Sequence, residues 1–193
     1  TFTNFLSASD LDIFYSMLPD ISHIPYEIFG GRDGCDRVMI RFGSEDTTGY
    51  DLPFPITILQ ITPLMDKFSD ELSHRDVLGS LMNLGIEREM TGDIIMKASS
   101  RSGIRNTAYV FCVSSIADYI SENLTRIKHT SVRCIPCPDS DLPDITSTLE
   151  ECQCIAASER IDAVIAAVTK LSRSQTVILF REKKVFFYRS HSA

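Results

Sequence analysis

Apolar positions recur along this chain with two periods, and the switches between them outline a mixed α and β fold. Ser7 stands just before a run in which Leu11, Phe14, Tyr15 and Leu18 share one helical face, with Asp10 three residues on as a capping-box acid. Pro19 is expected to close that helix. Ile24 to Phe29 and Arg37 to Phe42 read as two strands joined through Gly30-Gly31-Arg32-Asp33-Gly34, whose glycines and Asp-Gly pair suit a tight hairpin turn. Ser44 to Pro55 is a polar, Pro-containing connection.

A longer alternation follows. It runs strand Ile56 to Ile61, helix Ser73 to Leu84, strand Asp93 to Met96, strand Thr107 to Val113, helix Ser115 to Leu124 and strand Thr130 to Ile135. Ser73 with Asp76 and Ser115 with Asp118 have capping-box spacing, which marks both helix starts. The order β-α-β-β-α-β is that of ferredoxin-like and RNA-recognition folds. Tyr109 and Phe111 alternate on one face of a central strand, where an RNA-recognition domain stacks bases. The basic and glycine context of a stacking strand is missing, so they read as core aromatics under the two helices.

The stretch Ser158 to Ser174 predicts another helix, with Ile161, Val164, Ile165 and Val168 at helical spacing, Ser158 as its cap and its end near Lys170. Leu171 anchors a turn, Ser172 and Ser174 offer a new N-cap for a helix of about Gln175 to Phe180, and Val185 to Tyr188 reads as a strand. The expected organisation is therefore a helix and hairpin over residues 1–55, an α/β domain over 56–150, and a basic tail over 151–193.

Composition sharpens this picture at one point. The 193 residues are 44% hydrophobic with a net charge of -7, a balance typical of globular chains. From Ser158 onward, however, seven Lys and Arg face three Asp and Glu, a local +4, whereas the first 157 residues hold 12 against 23, or -11. A local patch sets the potential that a phosphate meets. No apolar run is long enough to span a bilayer and no signal peptide is visible, which points to the cytoplasm; the opening Thr1 reads as the start of a processed or excised piece.

Cys35, Cys112, Cys134, Cys137, Cys152 and Cys154 read as reduced thiols. Cys134 and Cys137 with Cys152 and Cys154 could be drawn as a four-thiolate zinc site, but the spacing misses the common ribbon pattern, and we expect neither metal nor cofactor. The glycine loop at 30–34 lacks the Gly-Lys-Ser/Thr of a nucleotide loop. His74-Arg75-Asp76 matches the start of a kinase catalytic loop, but Leu81 stands where the metal-binding Asn belongs and no Asp-Phe-Gly follows.

Arg160-Ile161-Asp162, Leu171-Ser172-Arg173-Ser174 and Lys183-Lys184-Val185 resemble the alpha-L RNA-binding motif of ribosomal small-subunit protein four, here partial. The rest of the chain resembles the bacterial YlmH family. The resemblance is carried by Phe29-Gly30-Gly31, Leu72 to Gly79, Leu84-Gly85-Ile86 with Arg88, Gly92-Asp93-Ile94, Ile116-Ala117-Asp118-Tyr119 and Glu122-Asn123-Leu124. It implies an α+β protein with a ferredoxin-like domain and an alpha-L motif. Such a protein would bind ribosomal RNA or tRNA on the large ribosomal subunit, rescue stalled translation and have a link to cell division.

Arg160, Lys170, Arg173, Lys183 and Lys184 are the expected phosphate contacts, with Ser172 and Ser174 adding hydrogen bonds. Arg32, Arg37, His74, Arg75 and Arg88 form a secondary set. Two alternatives stay open: an interaction module of the division machinery, and an RNA-modifying enzyme of the pseudouridine-synthase type, for which Arg160-Ile161-Asp162 superficially resembles the required Asp setting.

Overall fold

The computed structural model describes residues 1–44, 49, 52–65, 69–97, 106–138, 142, 153–181 and 185, which fall into two units, Thr1–Thr146 and Ser147–Ala193. Helix α1 spans Ala8–Ile21, and Ser7 caps it as its spacing predicts: the Asp10 N–H donates to Ser7 Oγ at 3.4 Å and the Ser7 N–H to the Asp10 carboxylate at 2.8 Å. Pro19 does not close the helix but lies inside it. Its fixed φ is helical, and near the end of a helix only one backbone hydrogen bond is forfeited.

Strands β1 (Tyr26–Phe29) and β2 (Met39–Phe42) pair antiparallel, with Tyr26 opposite Phe42 and Phe29 opposite Met39. The connection from 30 to 38 is not the tight turn expected. Asp93 accepts the N–H groups of Asp36 at 2.8 Å and Arg37 at 3.1 Å, so the loop is tied to the main sheet instead of closing on itself.

The main sheet is built from β3 (Ile56–Pro63), β4 (Thr91–Met96), β5 (Ala108–Val113), β6 (Arg126–Ile127) and β7 (Thr130–Pro136), with α2 (His74–Asn83) after β3 and α3 (Ala117–Asn123) after β5. Its order is β4-β5-β3-β7-β6, antiparallel at every pairing. Ser73 and Asp76 form the expected capping box of α2. The matching box at Ser115 and Asp118 is not made. The Ser114 N–H donates to Pro55 O at 2.8 Å, so the chain leaving β5 stays pinned beside β3 and turns first through the 3-10 segment Ser114–Ile116.

Both faces of this sheet carry apolar residues: one is covered by α2 and α3, and the other, over β4, β5 and the first half of β3, by the N-terminal segment. Leu59, Ile61, Val110 and Cys112 pack with Val77 and Leu81 of α2 and Ile120 of α3, all seven essentially without solvent contact. Ile58, Tyr109, Phe111 and Val113 point the other way, where Phe5 and Met39 cover them. Tyr109 and Phe111 are therefore core, as expected, but under the N-terminal segment and not under the helices. Phe5 reaches them because Gly92 has no side chain: a Cβ there would sit 2.6 Å from Phe5 Cε1 and 3.0 Å from Phe111 Cβ.

In the second unit, α4 (Ile161–Thr169) and α5 (Arg173–Arg181) are bent by 111° across Lys170, Leu171 and Ser172. Among the described residues no single helix is long and apolar enough to cross a membrane.

Two stability measurements check this packing. Gly92→Ala forces Phe5 off the sheet and is expected to cost about 1–3 kcal/mol, read as a lower urea midpoint; an unchanged midpoint would contradict the close contact. Lys128 Nζ lies 2.7 Å from Asp76 Oδ2, and that bond, with those from Ser73, holds the Asp76 carboxyl at about 2, below its usual 3.8. A depressed carboxyl stabilises the fold above its unfolded pKa, and that stabilisation is lost as pH falls through the folded value. Asp76→Asn should therefore narrow the drop in urea midpoint between about pH 4.5 and about pH 2.5 relative to the unsubstituted chain.

Candidate nucleic-acid interface

The bend between α4 and α5 is made locally. Lys170 takes a left-handed conformation, with φ 57°, which ends α4. Ser172 then caps α5: its N–H donates to Gln175 Oε1 at 2.9 Å and its Oγ accepts the Gln175 N–H at 3.4 Å. This is a Ser-x-x-Gln capping box, which places Arg173 as the first helical residue, two positions earlier than the sequence expectation. Ser174 Oγ lies 3.1 Å from Ser172 Oγ, and both hydroxyls are on the exposed turn. Lys170 and Arg173 are exposed, and among the described residues neither makes an ion pair.

Arg160 is placed differently. It is the N-cap of α4, without a side-chain cap bond, and Ser158 does not take that role. Its Nε lies 3.0 Å from Asp162 Oδ1, and the shared hydrogen bond lowers the Asp162 pKa and raises that of Arg160. Of the three expected basic contacts among the described residues, Arg160 is thus already satisfied by its own neighbour. Lys183 and Lys184, with most of the expected strand Val185 to Tyr188, lie outside the described residues.

The secondary set divides in two. Arg37 donates to Phe5 O at 2.9 Å and Thr91 O at 3.1 Å, and Arg88 donates to Thr91 O at 2.6 Å and Gly92 O at 3.0 Å. Burial lowers the pKa of both guanidiniums. Arg37 fastens the N-terminal segment to β4 and Arg88 pins the turn that enters β4, beside a cleft of about 480 Å³ whose wall also holds Asp10, Glu87 and Glu89. That acidic wall repels phosphate. Arg32 is half-buried in the 30–38 loop, whereas His74 and Arg75 are exposed on the first turn of α2. The five do not converge on one surface.

The sheet adds two cations that the sequence reading did not single out, Arg126 of β6 and Arg133 of β7, both exposed. The signal for Arg133 was the alternation of Ser131, Arg133 and Ile135 with buried Thr130, Val132 and Cys134. Arg126 gave none, because a two-residue strand has no period.

Among the described residues no cluster of His, Cys, Asp or Glu could hold a metal ion. Cys134 and Cys137 are buried, and Cys152 lies outside the described residues. Burial pushes the Cys112 thiol up to about 12 and Cys134 up to about 11. In the folded protein Cys154, which is exposed, is expected to react with a thiol reagent near neutral pH while Cys112 and Cys134 stay unlabelled until urea unfolds the chain. Fast labelling of either buried thiol, mapped by mass spectrometry, would contradict this packing.

Comparison with known proteins bears on these features. Residues 51–141 match the family described as "Putative RNA-binding domain in YlmH". The chain is 30% identical over 152 residues to "Ribosome-associated protein quality control protein P2" of Bacillus subtilis (strain 168), an alignment covering 77% of this chain. It spans 55% of that relative's length. Its fold is similar to that of "Cell division protein ylmH from Streptococcus pneumoniae", with a TM-score of 0.54 at 19% identity, over 72% of this chain and 79% of the other. The family match falls on the sheet with α2 and α3, and it is this stretch, residues 51–141, that belongs to the YlmH RNA-binding-domain family.

Proposed function

We propose that this chain is a non-catalytic RNA-binding protein of the ribosome, engaging ribosomal RNA or tRNA on the large subunit during translation quality control in the cytoplasm. The observation that carries this reading is the α4–α5 elbow. Two helices bent by 111° present Lys170 and Arg173 on a capped, exposed turn, which suits phosphate contacts on a folded RNA. On this reading α4 and α5 are the start of an alpha-L motif, and residues 56–136 are a ferredoxin-like domain; the sheet order β4-β5-β3-β7 with α2 and α3 on one face supports the latter. The match of residues 51–141 to an RNA-binding family, and the ribosome-associated relative, support the partner.

Arg160 takes a lesser part, because Asp162 already holds it. This yields an ordered prediction for the full chain titrated against large-subunit ribosomal RNA. Log affinity falls with log salt, and Arg173→Ala or Lys170→Ala each flattens that slope by about 0.7–0.9, the loss of one phosphate contact. Arg160→Ala flattens it less. Equal slopes for all three variants and the unsubstituted chain would overturn the reading. A pull-down repeated after ribonuclease treatment separates the division-machinery alternative, since a protein partner survives digestion.

A further inference from the structure

The RNA-recognition comparison raises the question of what the sheet face opposite the helices does. Its half nearest Phe5 is filled, and Tyr109 is 2% exposed, so bases cannot stack there. The other half is open. Pairing registers place Thr62 opposite Arg133, Gln60 opposite Ile135 and Arg126 opposite Ser131. Directly opposed residues of an antiparallel pair share a face, and so do alternate residues of one strand. Arg126 and Arg133 therefore project from the same side of the sheet, on a diagonal of roughly 7–8 Å.

Neither arginine makes an ion pair among the described residues. Among the residues of the five strands the one carboxylate is Asp93, on β4 at the far edge of the sheet, and it accepts the N–H groups of Asp36 and Arg37. In a chain of net charge -7, two exposed and unneutralised guanidiniums side by side form a local anion-attracting strip. Around them stand the small polar side chains of Thr62 and Ser131 and the half-exposed Ile135, with no exposed aromatic ring on these strands to hold a base.

We propose that this open half of the sheet, marked by Arg126 and Arg133, is a second RNA contact that grips successive phosphates of a backbone without reading its bases. It rests on the RNA-binding reading above and adds to it the surface through which residues 51–141 would take part. The guanidiniums act as paired phosphate clamps, and Ser131 and Thr62 leave room for the backbone to approach. Contacts of this kind orient an RNA without selecting its sequence.

The test uses the full chain and a fluorescein-labelled fragment of large-subunit ribosomal RNA, titrated at several salt concentrations. The paired variant Arg126→Ala/Arg133→Ala is expected to flatten the slope of log affinity against log salt by about 1.4–1.8, two phosphates' worth. Its thermal midpoint should be unchanged because both side chains are exposed, and Arg126→Lys/Arg133→Lys should restore the slope. If the alanine pair binds like the unsubstituted chain while Lys170→Ala and Arg173→Ala weaken binding, this surface is not an RNA contact and the α4–α5 reading stands. If affinity falls but the slope does not, the patch works through contacts other than ionic ones, such as Ile135, and the phosphate proposal is overturned. If the unsubstituted chain shows no salt-dependent binding, the RNA reading fails and this proposal fails with it.

Discussion

An antiparallel sheet with apolar residues on both faces must be covered on both, and here the second covering, over β4, β5 and the first half of β3, shapes the first unit of this molecule. Helices α2 and α3 shield one side in the usual way. The other depends on the placement of Phe5 over Phe111, in the space that Gly92 leaves open. The segment that carries Phe5 is fixed by its backbone bonds to Glu89 and Val38 and by the Arg37 guanidinium on its carbonyl. Burying large aromatics here removes a substantial apolar area from water. It also closes the stretch of sheet where a base could otherwise stack, so any nucleic acid has to be met elsewhere.

The same packing decides which positive charges remain available. Arg37 and Arg88 spend their donors on backbone carbonyls, because the carbonyls where the N-terminal segment meets β4 need partners once they are half-buried. Lys128 bridges to Asp76 and thereby joins the β6–β7 turn to the first turn of α2. Arg160 is held by Asp162. Lys170 and Arg173 on the elbow, Arg126 and Arg133 on the sheet, and His74 and Arg75 on α2 remain exposed. A polyanion responds to unneutralised cations, not to the number of basic residues in the chain.

The two units use the same local device for different ends. Capping boxes at Ser7, Ser73 and Ser172 start α1, α2 and α5. In the first unit they set the direction in which a helix enters the core. At Ser172 the box instead makes a sharp bend with cations at its outside, since the preceding helix has just ended on a left-handed Lys170.

The boxes at Ser7 and Ser73 were legible from residue spacing, as were the order of the longer strands and helices and the cationic turn at 170–173, because each depends on groups within a few residues of one another. The reading failed where a distant group intervened. Asp93 opened the presumed tight turn at 30–34, the bond to Pro55 replaced the Ser115 cap with a 3-10 turn, and two-residue β6 had no pattern to show. Most of all, the chain alone could not say which arginines were free. A guanidinium looks the same in sequence whether it faces water or a carbonyl more than 30 residues away, as Arg37 does at Phe5; only the folded chain brings the two together and settles which charge is left for a partner.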